Sequence, residues 1–155
     1  MVDKRVIEAA YFAAVKHKTQ RRKDTEKTPY INHPLALANV LAMECSIDDV
    51  EVICGALLHD TVEDTKATME DIESLFGPEI AKGVWFMTKT PDYVGNRKFR
   101  KELCEMRLRE APEIIRILKT CDMFHNSLSI EEHDPKFWKT FKEETVSLLI
   151  AMDTL

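Results

Sequence analysis

Residues able to bind a metal and move protons gather in one short stretch, Leu57-Leu58-His59-Asp60-Thr61-Val62-Glu63-Asp64. An imidazole beside a carboxylate offers donors that suit Mn, Fe, Zn or a similar divalent ion. Neighbours on a helix do not share a face, but they can embrace one cation where the helix finishes and the chain bends. Glu63 and Asp64, three and four residues beyond Asp60, can orient or deprotonate a water there. A His-Asp dipeptide alone is a weak signal, and such a polar run also serves as an ordinary helix cap and loop.

Two more residues complete a donor set. His33 stands between Asn32 and Pro34, before an apolar helix, where a histidine can equally be a cap or a surface group. Asp122 follows the apolar run Ile114 to Leu118. A carboxylate leaving a core helix must be paired, solvated or metal-bound, because burying it bare is costly. A salt bridge to Lys119 or Arg116 is the competing arrangement. Taken together, His33, His59, Asp60 and Asp122 would leave coordination positions open for water and substrate.

Helices must position these groups. Apolar residues at Val6, Ala9, Ala10, Ala13 and Ala14 recur near helical spacing and predict a helix over Val2 to Lys16. Thr19 to Pro29 reads as a polar loop. A second helix spans Leu35 to Ala42, with Pro34 near its first turn. Asp48 to His59 follows, with Ser46 as N-cap. Thr68 opens a helix with Met69, Ile72, Leu75 and Phe76 inward, and Asp71 makes it a near-miss to a capping box. Gly77-Pro78 breaks the chain before Glu79 to Met87. Arg97 to Arg109, a helix from Pro112 and a last helix from Asp134-Pro135 complete the set. Trp85 and Trp138 read as core anchors. No segment alternates like a strand, so the fold class is all-α, a single domain over residues 1–155 with seven or eight helices.

Composition narrows the function further. Only 4 glycines occur, which argues against a sheet protein full of tight turns. The net charge of −5 disfavours nucleic acid as a partner. No apolar run is long enough to cross a membrane. The N-terminal residues, charged at Asp3, Lys4, Arg5 and Glu8, lack the apolar core of a signal peptide, so a cytoplasmic protein is expected. Cys45, Cys54, Cys104 and Cys121 have no zinc-finger spacing and read as reduced, mostly buried thiols. Two local basic segments, Lys16 to Lys27 and Lys89 to Lys101, fit either a small anionic ligand or two solvated loops.

The order His33, then His59-Asp60, then Asp122 resembles that of the HD superfamily. The runs Arg21-Arg22-Lys23-Asp24 through Thr28-Pro29-Tyr30-Ile31-Asn32-His33-Pro34, and Ala56 through Thr65, resemble the hydrolase domain of Rel/SpoT proteins and the small alarmone hydrolases, metazoan SpoT homologs included. That resemblance implies Mn(II) held by His33, His59, Asp60 and Asp122, with Glu63 and Asp64 as the catalytic pair. It also implies that Arg22 and Lys23 face the nucleotide, that Asn126 contacts the nucleoside and that Lys98 contacts a phosphate. The implied activity is hydrolysis of ppGpp and pppGpp at the 3′ position, giving GDP or GTP and pyrophosphate. A nucleotide is then the expected partner, with an oligomer left open. The chain departs from the family after Asp122, where Met123 and Ser127 replace basic residues. Two other readings therefore stay open: a phosphatase for a deoxynucleotide or the 2′-phosphate of NADPH, and an inactive nucleotide-binding signalling module.

Overall fold

The computed structural model describes residues 3–153. Met1 and Val2, included above in the first helix and the N-terminal reading, lie outside the described residues. The described residues form helices α1 Lys4–Lys16, α2 Asn32–Asn39, α3 Val50–Leu58, α4 Thr61–Asp64, α5 Met69–Phe76, α6 Pro78–Met87, α7 Arg97–Arg109, α8 Glu113–His133 and α9 Pro135–Ala151. A π-helical turn, Val40–Glu44, continues α2. Among the described residues no β-strand forms, and the one pairing of that kind is an isolated antiparallel bridge between Arg21 and Pro29. The all-α reading holds. The helix beyond the expected seven or eight is the single turn α4, too short for periodicity to reveal.

The chain divides into two compact units, one ending at Thr88 and the other beginning at Lys89. In the first, α3 packs against α1, α2 and α6, and α5 packs against α6. Ala9 and Ala13 are fully buried where α1 meets α3, and Val6 and Phe12 of α1 pack against the same core. Cys54, Leu57 and Leu58 of α3 join Ile72, Phe76, Ile80 and Val84 in the core. This packing fixes the end of α3, where His59 and Asp60 stand.

Local chemistry sets the helix boundaries. Asp3 caps α1 by accepting from the Arg5 amide at 2.9 Å. Asp49, not Ser46, caps α3, accepting from the amides of Glu51 and Val52. Ser46 instead takes a left-handed conformation, φ 54°, in the turn before the cap. Thr68 and Asp71 form a complete capping box. The Asp71 amide donates to Thr68 Oγ1 at 3.1 Å, and the Thr68 amide donates to Asp71 Oδ2 at 2.9 Å. The shorter Asp thus does what Glu or Gln does in the usual box. Thr68→Ala is expected to lower stability by about 1 kcal/mol, read as a lower urea midpoint, while Thr68→Ser stays near wild type. Gly77, at φ 89°, lets α5 stop and Pro78 start α6 at once.

In the second unit α9 packs against α8 and α7. Arg97 holds Glu144 with two bonds of 2.8 and 2.9 Å, and Arg116 donates to the Met152 carbonyl at 2.8 Å. Two apolar residues expected inside, Leu75 and Trp85, are exposed, as are Val146 and Ile150 of α9. Helical spacing identifies a stripe but not its edges, and these four lie at the edges. Among the cysteines, Cys54 is buried, Cys45 is exposed and the other two are half-buried, so the expectation of mostly buried thiols was too strong. No helix among the described residues is long and apolar enough to cross a membrane.

Candidate active site

The end of α3 is where the motif becomes geometry. α3 stops at Leu58, and Asp60 takes φ −100° and ψ −1° before α4 begins. Thr61, fully buried, donates its hydroxyl to the Leu58 carbonyl at 2.7 Å and closes the turn. This break swings Asp60 round to the same side as His59. His59 Nε2 lies 2.8 Å from Asp60 Oδ2. His33, in the first turn of α2, brings its Nε2 to 3.7 Å from the same oxygen. The His33 and His59 rings meet edge to face, 5.2 Å between centroids.

Hydrogen bonding fixes what these atoms can do. His59 Nδ1 lies 2.7 Å from the Ala56 carbonyl oxygen. A carbonyl only accepts, so Nδ1 carries the proton and Nε2 keeps its lone pair in the neutral ring. That lone pair then faces a carboxylate oxygen at hydrogen-bond distance. Two acceptors this close need a proton or a metal cation between them, and the pair is built to hold either. His33 and His59 are each 1% exposed, so bulk water does not screen the pair. The donor set of two imidazoles and a carboxylate fits a borderline divalent ion. A histidine whose other nitrogen donates to a backbone carbonyl is the usual oriented metal ligand.

Tyr30 adds a contact that sequence reading left without a role. Its hydroxyl donates to Asp60 Oδ2 at 2.5 Å. Burial, and then the adjacent Asp60 charge, push the Tyr30 phenol well above its ordinary pKa, so it remains a donor at any working pH. The Arg22 guanidinium lies over the Tyr30 ring, 5.7 Å from its centroid. Tyr30 therefore links the basic loop to the His-Asp turn. The loop itself is ordered by its own chemistry. The Arg22 amide donates to the Thr28 carbonyl at 2.8 Å, and Asp24 accepts from both the amide and hydroxyl of Thr28. Arg22 is half-buried and Lys23 exposed.

Glu63 and Asp64 occupy α4, one turn beyond Asp60, with Glu63 half-buried and Asp64 exposed. The first unit thus brings together Arg22, His33, His59, Asp60, Glu63 and Asp64. The second unit carries the other expected residues. Asp122 is buried on α8, where it accepts from Lys119 Nζ at 2.8 Å and from Asn126 Nδ2 at 2.9 Å. The competing salt bridge to Lys119 is therefore present, whereas Arg116 turns to Met152. Asn126, expected at the nucleoside, spends an amide proton on Asp122. Lys98 is exposed in the first turn of α7. Of the two departures from the family, Met123 is buried, and Ser127 donates its hydroxyl to the Phe124 carbonyl.

Comparison with known proteins identifies the family. The HD-domain family matches residues 9–148, running through both units. The guanosine-3′,5′-bis(diphosphate) 3′-pyrophosphohydrolase MESH1 of Xenopus tropicalis is 43% identical over 133 residues, covering 86% of this chain and 73% of that protein. The Homo sapiens MESH1 is 39% identical over the same shares of each chain. A GTP pyrophosphokinase rsh of Brucella melitensis is 36% identical over 95% of this chain but only 20% of its own length. A solved structure described as a metazoan ortholog of SpoT that hydrolyses ppGpp superposes with a TM-score of 0.80 at 30% identity. It covers 99% of this chain and 94% of that one. The chain belongs to the HD-domain family, among its MESH1 relatives.

Proposed function

We propose that this chain is a metal-dependent guanosine-3′,5′-bis(diphosphate) 3′-pyrophosphohydrolase, converting ppGpp or pppGpp to GDP or GTP and pyrophosphate. The observation that carries the reading is the His59–Asp60 turn, where a buried imidazole nitrogen and a carboxylate oxygen stand 2.8 Å apart, with His33 Nε2 3.7 Å from the same oxygen, a donor set suited to a divalent ion. The substrate is supported by the activity named for MESH1 proteins, which share 39–43% of the matched residues.

His33, His59, Asp60 and Asp122 hold the ion in this reading, and Mn(II) is the metal proposed. When bound, a divalent ion lowers the pKa of a water and neutralises charge on the diphosphate. Glu63 and Asp64 take a proton from the attacking water and hold its oxygen toward the phosphorus that bears the ribose 3′ oxygen. The new bond joins the water oxygen to that phosphorus, and the bond from phosphorus to the 3′ oxygen breaks. The 3′ oxygen gains a proton and pyrophosphate leaves. Arg22 and Lys23 receive the phosphate charge, which the chain's net −5 would otherwise repel. Lys98 contacts a second phosphate and Asn126 the nucleoside. The two units work as one HD domain in the cytoplasm, where cysteines without a disulfide stay reduced.

The test is turnover of ppGpp with Mn(II), with a chelator, and with each nucleotide product resolved. Pyrophosphate and GDP released only with metal are the expected result. Orthophosphate as the sole product, or no turnover with metal bound, overturns the reading and directs attention to NADPH and deoxynucleotides.

A further inference from the structure

His17 is buried, 2% exposed, yet takes no part in the donor set described above. Its Nδ1 lies 2.6 Å from Gln20 Oε1. Gln20 in turn donates Nε2–H to Asp64 Oδ2 at 2.9 Å, across a separation of 44 residues. The direction of this chain is set by chemistry. An ionised carboxylate only accepts, so the amide nitrogen of Gln20 must face Asp64 and its oxygen must face His17. The proton between His17 and Gln20 therefore sits on His17 Nδ1. The other ring nitrogen, Nε2, is buried with no hydrogen-bond partner among the described residues. Gln20 is the one side chain tied to the polar edge of the ring there, and the His17 face rests on Tyr30, 4.9 Å between centroids. The Gln20 backbone is held as well. Its amide donates to the His17 carbonyl at 2.9 Å, and its carbonyl accepts from the Tyr30 amide at 3.0 Å.

We infer that Gln20 is a positioning residue for Asp64 and that His17 holds Gln20 to that task. An exposed carboxylate on a four-residue helix samples several rotamers, and a bond from a fixed amide selects one. The loop that presents Arg22 thus also aims one member of the acidic pair. This rests on the proposed role of Asp64 in proton transfer.

The test compares Gln20→Ala, His17→Ala, His17→Asn and Asp64→Asn for ppGpp turnover with Mn(II), with bound metal and melting temperature measured on each. Gln20→Ala should lower kcat about 10–100-fold, the usual cost of losing a supporting partner, with KM nearly unchanged and metal content intact. His17→Asn, whose amide can donate from near the Nδ1 position, should recover most of the kcat lost in His17→Ala. In the Asp64→Asn background, Gln20→Ala should cost nothing further, because the two act as a unit. Nitrogen-15 spectra of a zinc-loaded sample should show His17 protonated at Nδ1. Wild-type kcat in a folded Gln20→Ala, with Asp64→Asn impaired, overturns the inference. Full rate in Asp64→Asn itself instead overturns the catalytic reading of Asp64, and the inference with it.

Discussion

Asp60→Asn is expected to abolish metal-dependent turnover, by about 10³-fold or more, equivalent to about 4 kcal/mol of transition-state stabilisation. The substitution keeps the side chain's shape, but Tyr30 and His59 meet the same Oδ2, so an amide nitrogen placed there faces His59 and gives up the Tyr30 bond. It removes the charge, and its amide nitrogen can donate to the His59 lone pair that Asp60 Oδ2 now faces at 2.8 Å. The pair is then satisfied without a cation. Metal analysis of the purified variant should show a large loss of bound Mn(II) while the melting curve shows a folded protein. Retention of both metal and wild-type turnover would remove Asp60 from the proposed ligand set.

Glu63→Gln should separate chemistry from metal binding. Glu63 stands three residues beyond Asp60 on α4, half-buried, and the proposal gives it a proton to carry rather than a bond to the ion. Glutamine keeps the shape but not the basicity. A fall in kcat of about 10²–10⁴-fold is the expected cost of losing a positioned base, with metal content unchanged. Rapid-quench measurement of GDP formation in a single turnover places the loss in the chemical step. If the variant loses its metal instead, Glu63 is a ligand and the proton falls to Asp64 alone.

The legible part of this molecule is the part written in contiguous residues. His59 and Asp60 sit together in sequence, and the break that turns them to one side is itself encoded by Thr61 one residue later. His33 could be placed because Pro34 marks a helix start. Tyr30, Gln20 and His17 were not readable in the same way. Gln20 meets Asp64 across 44 residues, and within a polar stretch read as a loop its type carries no distinguishing signal. Thr68 and Asp71 read as a near-miss to a capping box because the usual partner is Glu or Gln, and at the start of α5 the shorter Asp completes it. Ser46, whose residue type suits a cap, takes a left-handed backbone in the turn, and Asp49 three residues on does the capping. The edges of apolar stripes failed most often. Leu75, Trp85, Val146 and Ile150 are hydrophobic in type and exposed in fact, since periodicity gives a direction of burial but not its width.

The two tryptophans fall one on each side of the division at Thr88. Trp85 lies on α6 with its ring 5.0 Å from Phe86, and Trp138 stacks on Phe141 in α9. Each half of the chain therefore carries its own intrinsic fluorophore. Emission from a variant retaining Trp85 follows the half that holds His33, His59 and Asp60, and emission from one retaining Trp138 follows the half that holds Asp122. Coincident colour shifts during denaturation mark one cooperative body, and separate shifts mark two.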